Sequence, residues 1–184
     1  MLMDKVQIIY SSRYGSAKRY AEKLGSLTGA DVRSADTITS LPEADTIVYI
    51  AGIYAGGMRG LKRLFGSYKG NSHIIFVSVG IADPSLMETR KTILTVAERQ
   101  LPLALFSASD FFHLRGCIDY SKLSLAHSIL MKLMKAQLKG KKNLDDTDKA
   151  FLETYGQKVD FTDFSTLSPI VRAMGADEVN VWSR

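Results

Sequence analysis

Three short, nearly unbroken apolar runs constrain this chain more than any other feature. They are Val6–Tyr10 (Val-Gln-Ile-Ile-Tyr), Thr46–Ala51 (Thr-Ile-Val-Tyr-Ile-Ala) and His73–Val79 (His-Ile-Ile-Phe-Val-Ser-Val). Each has the length and β-branched, aromatic make-up of a strand. None shows the polar alternation of a sheet face open to water, so each reads as a strand buried on both sides. Between them the period changes to that of helices. Ala17, Tyr20, Ala21 and Leu24 recur at helical spacing, with Gly25 and Gly29 near the stop. Met58, Leu61 and Phe65 make one face of a short helix. Pro84 suits the first turn of another, with Met87, Leu94, Ala97 and Leu101 as its expected inner face. A weaker strand is expected near Asp31–Arg33 and a last one within Ala104–Leu114. Buried strands alternating with helices predict an α/β fold, a doubly wound five-stranded parallel sheet. Ligands of such sheets bind beyond the carboxyl ends of the strands.

The alternation breaks between Gly116 and Phe161. Lys122–Lys139 has a helical pattern rich in Leu, Met and Lys, and a second helix is expected from Asp146 to Tyr155. A closing helix, with Leu167, Ile170, Val171 and Met174 on one face, follows Ser165. No linker or repeat divides the chain, so 1–184 is expected to be one domain with a helical insertion at about 116–161. The net charge is +5, and Lys132, Lys135, Lys139, Lys141 and Lys142 concentrate it in one stretch. Aromatic interleaving and recognition motifs are absent there, which argues against nucleic acid as a partner. Cys117 stands alone, so no intrachain disulfide forms, and it reads as a small buried filler. Three scattered histidines and one cysteine do not make a metal site. Met1-Leu2-Met3-Asp4-Lys5 lacks the basic start and long apolar stretch of a secretory signal, and no run is long enough to span a bilayer. The expected compartment is the cytoplasm.

Three segments follow the strong strands directly. Ser11-Ser12-Arg13-Tyr14-Gly15-Ser16 leads into the first helix, where unpaired backbone N–H groups and serine hydroxyls can hold a phosphate. The same serines also suit an ordinary turn and helix cap. Neither Gly-x-x-x-x-Gly-Lys-Ser/Thr nor Gly-x-Gly-x-x-Gly is present, so nucleotide P-loop and dinucleotide sites are not expected. Gly52-Ile53-Tyr54-Ala55-Gly56 follows the second strand: glycines for close approach and a tyrosine able to stack on a flat ring, or a plain flexible turn. Ser78-Val79-Gly80-Ile81 ends the third strand and can offer backbone groups to a polar ring edge, or simply connect strand to helix. One ligand shared at a single rim accounts for all three more economically than three unrelated turns. A receiver domain would need paired carboxylates where Tyr10-Ser11-Ser12 stands.

These motifs, in this order, resemble the flavodoxin superfamily, and within it the branch that includes menaquinone-dependent protoporphyrinogen IX dehydrogenase. Ser11-Ser12-Arg13-Tyr14-Gly15, Ile53-Tyr54-Ala55-Gly56 and Ser78-Val79 carry the resemblance. So do the insertion segment Leu130-Met131-Lys132-Leu133-Met134-Lys135 and Thr162-Asp163-Phe164 before the closing helix. The resemblance implies strand order 2-1-3-4-5 and FMN, with its phosphate at the first segment and its ring between the second and third. It also implies an oxidoreductase whose partner is a redox protein or a small molecule such as a porphyrinogen or quinone. The basic Lys122–Lys139 helix is expected either to meet an anionic substrate or a membrane surface, which would make the protein peripheral to the inner face of the membrane, or equally to be a solvated lysine face over a packed core. Gly80 and Leu114-Arg115-Gly116-Cys117 depart from the branch and bear on substrate more than on flavin. A flavodoxin-type electron carrier is the first alternative, and a flavin-free interaction module of the same fold the second.

Overall fold

The computed structural model describes residues 5–54, 57–144 and 146–175. In chain order the elements are β1 (Val6–Ser11), α1 (Ser16–Thr28), β2 (Asp31–Ser34), β3 (Thr46–Tyr54), β4 (Gly57–Met58), α2 (Leu61–Phe65) and β5 (His73–Gly80). They continue with α3 (Met87–Glu98), α4 (Leu103–Ser107), β6 (Asp110–Arg115), β7 (Cys117–Asp119), α5 (Leu125–Lys139), α6 (Asp146–Thr154), β8 (Lys158–Asp160) and α7 (Ser168–Ala173).

Strands with no polar side must be covered twice, and they are. The main sheet runs β2-β1-β3-β5-β6, every neighbouring pair parallel, which is the expected order. Alternate side chains feed two cores. Ile8, Val48, Ile50, Ile75 and Val77 face α1 and α7, where Tyr20, Leu24, Ile170 and Val171 close the layer. Ile9, Ile47, Tyr49, Ile74 and Phe76 face Leu61, Phe65 and Ala97 of α2 and α3. α1 buries Ala17, Tyr20, Ala21 and Leu24 as the periodicity predicts. It stops at Gly29, whose φ of 75° lets its N–H reach the Gly25 carbonyl.

Several elements differ from expectation. β3 continues through Gly52, Ile53 and Tyr54, because Ile53 and Tyr54 pair with Met58 and Gly57 in a tight antiparallel hairpin. Met58 therefore lies in β4, and α2 begins at Leu61. Pro84 lies before α3: the Asp83 carboxylate accepts the Ser85 N–H and holds a turn there, and the helix starts at Met87. Its buried side is then Thr89, Ile93 and Ala97, while Met87 and Leu94 are exposed. The last parallel strand is confined to Asp110–Arg115, with α4 occupying the residues before it. The insertion is rooted by a two-stranded sheet, β7 against β8, which composition did not signal. At that root the Gly116 N–H donates to the Gly80 carbonyl at 2.7 Å and the Phe161 N–H to the Gly116 carbonyl at 3.1 Å. α5 is thereby tied to the carboxyl edge of the sheet.

Candidate cofactor site

β1 ends in Ser11, and the chain must reverse to start α1 five residues later. Gly15 makes the turn with φ +97°, a conformation other residues rarely adopt. A Cβ on Gly15 would meet nothing within 4 Å, so conformation, not space, calls for glycine here. Ser12 Oγ accepts the Gly15 N–H at 3.0 Å. No side chain caps α1 and its first turn holds no acidic residue, so its leading N–H groups have no side-chain partner. A dipole end of this kind favours an anion. Ser16 Oγ accepts the Cys117 N–H at 2.9 Å and lies 3.0 Å from Cys117 Sγ. Buried Ser11 accepts from Arg59 Nη1 at 3.3 Å, and the same guanidinium reaches the Ser12 carbonyl and Asp36. Arg59 thus sets a cation beside the first segment, a contribution sequence reading missed.

The second segment contributes from strand, not loop. Tyr54 folds back over Gly52 so closely that a Cβ there would sit 2.4 Å from its hydroxyl oxygen. That hydroxyl accepts the Arg13 N–H at 3.3 Å. The Tyr54 ring stacks on His127 of α5 (centroids 5.6 Å apart, planes at 20°) and meets Tyr14 edge-on at 5.7 Å. Tyr14 Oη accepts the Ser124 N–H and lies 2.5 Å from His127 Nδ1. Burial raises the Tyr54 phenol above its ordinary range, so it is neutral at physiological pH. Ala55 and Gly56 lie outside the described residues.

In the third segment, Val79, Gly80 and Ile81 face the same space. Gly80 is pressed against the neighbouring strands: a Cβ would lie 2.7 Å from Ile53 Cγ2. Ser78 does not join them. It points to the other side of β5, its hydroxyl 2.8 Å from His113 Nδ1. His113 Nε2 lies 3.2 Å from the Ala82 carbonyl, which only accepts, so Nε2 carries the proton and Nδ1 receives the Ser78 hydroxyl. Burial pushes the His113 pKa down to about 4, with Arg115 adding to the fall and the Ala82 hydrogen bond opposing it.

Together these residues enclose an apolar cavity of about 80 Å³. Tyr14, Ser16, Gly52, Ile53 and Tyr54 line it with Val79, Gly80 and Ile81, as the sequence suggested. The far wall was not foreseen: Gly116, Cys117 and Ile118 after β6, and Leu123, His127 and Met131 of the insertion. Cys117 is half-buried on that wall, not a filler within the core. The position just past a parallel strand was the one available signal for Gly116 and Cys117. Nothing in the sequence linked His127 to a tyrosine 113 residues earlier. Ile81 is shared with a second cavity of about 260 Å³, walled by Leu86, Met134, Leu138 and Phe151 and edged by Asp83 and Arg115.

The phosphate end fits a flavin mononucleotide as it stands, offering uncapped N–H groups, serine hydroxyls and Arg59. The ring end fits with one change. At about 80 Å³ the space is smaller than a cavity of roughly 150 Å³ that binds benzene, so a tricycle would enter only with the Tyr54 ring displaced from over Gly52. Among the described residues no group of His, Cys, Asp and Glu could hold a metal, and no helix is long and apolar enough to cross a membrane.

No curated protein matches this chain significantly. Among solved structures it is similar to a putative flavoprotein from Bacteroides eggerthii, at 15% identity over 60% of this chain and 86% of that one. Its TM-score of 0.44 is too low to carry an argument about ligand or activity. A family model described as a flavodoxin domain matches residues 7–145, nearly all of the main sheet and about two thirds of the insertion. On that match, over an architecture with the expected strand order, the chain belongs to the flavodoxin-domain family.

Proposed function

We propose that this protein is an FMN-binding oxidoreductase of the kind represented by the protoporphyrinogen dehydrogenases. The observation that carries the reading is the convergence of the ends of β1, β3 and β5 on one apolar cavity beside an uncapped helix N-terminus. FMN, when bound, supplies the redox chemistry; the protein's part is to bind, orient and shield it. Uncapped N–H groups of α1, with Ser12 and Arg59, would hold the phosphate. Val79, Gly80 and Ile81 offer backbone and small side chains to one edge of a ring, and Tyr54 and His127 offer it aromatic faces. Leu123, His127 and Met131 of the insertion exclude water from the same space.

That cover favours an enzyme over a carrier, because a carrier needs an open flavin edge for its protein partners. The neighbouring 260 Å³ cavity supports the same choice: it provides room for a second reactant in contact with Ile81. On the scale of a 150 Å³ cavity holding benzene, its volume corresponds to about two fused rings, so a quinone-sized molecule would fit there and a tetrapyrrole only in part.

The test is an absorption spectrum of purified protein, repeated on the supernatant after heat denaturation, with the released molecule identified by mass. Yellow protein releasing FMN in about equal amount to chain, and then reducing a quinone or oxidising a porphyrinogen, is the expected result. Colourless protein that takes up no added FMN would overturn the reading and leave a flavin-free module. Flavin bound without turnover, yet exchanging electrons with a reductase, would favour the carrier.

A further inference from the structure

α5 is apolar on the side where a surface helix should be polar. Its inner side supplies His127 and Met131 to the cavity, yet Leu125, Ile129 and Leu133 stand 78%, 49% and 62% exposed. Spaced four residues apart, these three align along one face, with Ala126 and Ala136 exposed beside them. From Leu125 to Leu133 the stripe runs about 12 Å along the helix. Not one residue of α5 is fully buried. Scattered surface leucines need no explanation, but a contiguous apolar stripe on an exposed helix marks a contact surface.

Charge selects the occupant. Between Tyr120 and Asp145 lie six lysines and no carboxylate. Lys135 is engaged inward, 3.9 Å from the Tyr155 ring, and Lys141 pairs with Asp148. Exposed Lys132 and Lys139 flank the stripe along one edge, and exposed Lys122 precedes the helix. A second copy seated here would set lysine against lysine. Nucleic acid would leave the leucines without a partner. An anionic phospholipid surface satisfies both features, taking the apolar stripe below the headgroups and the lysines among them.

We infer that the outward face of α5 docks the protein onto anionic lipid, with the helix lying in the plane of the interface. Electrostatic attraction brings the protein to the surface, and Leu125, Ile129 and Leu133 retain it. The inner side of the same helix walls the candidate cofactor site, so docking would set that site against the bilayer. The inference goes beyond the flavin reading and does not depend on it.

The experiment is flotation of the full chain, with and without added FMN, on vesicles of phosphatidylcholine alone or mixed with phosphatidylglycerol. Wild type should float with the anionic vesicles at low salt and remain unbound with the neutral ones. A triple variant, Leu125→Gln, Ile129→Gln and Leu133→Gln, should lose about a hundredfold in vesicle affinity while melting as wild type, since these side chains are exposed. Lys132→Glu with Lys139→Glu should weaken binding at low salt, where screening is least. Wild type that fails to float overturns the inference, as does a triple variant that floats undiminished. A wild-type dimer converted to monomer by the triple variant would assign the stripe to a second copy instead.

Discussion

Lowering the pH from 7 to 5 should cost this protein about 2 kcal/mol of stability through one side chain, His113. The imidazole is held neutral by its surroundings: burial opposes the charged form, Arg115 stands nearby, and the pKa falls from 6.5 to about 4. Its two nitrogens are both used, Nδ1 by Ser78 and Nε2 by the Ala82 carbonyl. In the unfolded chain the same group titrates near 6.5. Between pH 6.5 and 4 the unfolded state therefore binds a proton that the native state does not. Stability contributed by neutral His113 is fully present above 6.5 and is lost as pH falls towards 4. At pH 5 the difference in proton binding amounts to about 2 kcal/mol, approaching about 3 below pH 4. Asp83 and Asp160 do not confuse this window. Backbone and side chain of Ser85 lower the first, and Thr162 with Arg19 holds the second at about 2, so their losses lie below the ordinary carboxylate range. Urea unfolding at pH 7, 6 and 5 on wild type and His113→Gln measures the effect, since the variant cannot titrate. The variant starts less stable but should lose about 2 kcal/mol less than wild type over the interval. If the two fall in parallel, the buried neutral histidine is not what couples this fold to pH.

Two further outcomes follow from local geometry. Gly29 and Gly60 both have positive φ (75° and 77°), but a Cβ is free at the first and would lie 2.5 Å from the Tyr49 hydroxyl at the second. Chemical denaturation should therefore show Gly29→Ala costing about 1 kcal/mol and Gly60→Ala about 3; equal losses would mean that Tyr49 gives way freely. His127→Ala removes the ring that stacks on Tyr54 at the cavity wall and should weaken FMN binding about fivefold, read from quenching of flavin fluorescence. An unchanged affinity would exclude α5 from the cofactor site.

Much of the fold was legible because strands buried on both faces leave a run that few other elements produce. Val6–Tyr10, Thr46–Ala51 and His73–Val79 are such runs, and they became the three central strands. Errors arose where long-range pairing decided the outcome. Gly52-Ile53-Tyr54 reads as a loop until Ile53 is paired with Met58. Cys117–Asp119 and Lys158–Asp160 are three residues each and carry no periodicity; only their pairing makes them strands. Pro84 was compatible with a first helical turn, but the Asp83 carboxylate had already committed the chain to a tighter turn. At the site, backbone position was readable and side-chain direction was not. Ser78 lies at the end of the right strand, but strand alternation turns it towards His113 and gives the cavity to Val79.

The residues that set this chain apart from a bare five-stranded sheet come after β6, and they are not an appendage. Gly116 is bonded through its N–H to Gly80 and through its carbonyl to Phe161, joining the third segment to both ends of the insertion. Arg115 reinforces the joint: its Nε donates to the Ile81 carbonyl at 3.3 Å while its guanidinium lies 3.7 Å from the centre of the Phe161 ring. Ile81 in turn walls both cavities. A molecule held at Val79–Ile81 would therefore touch groups fixed by the insertion as much as by the sheet. The same root carries α5, with its aromatic contact to Tyr54 on one side and its exposed leucines on the other. An insertion kept only for solubility would turn lysines outward and leucines inward all along its length. This one presents apolar side chains in both directions, which is the pattern expected of a helix with one partner inside the protein and another outside it.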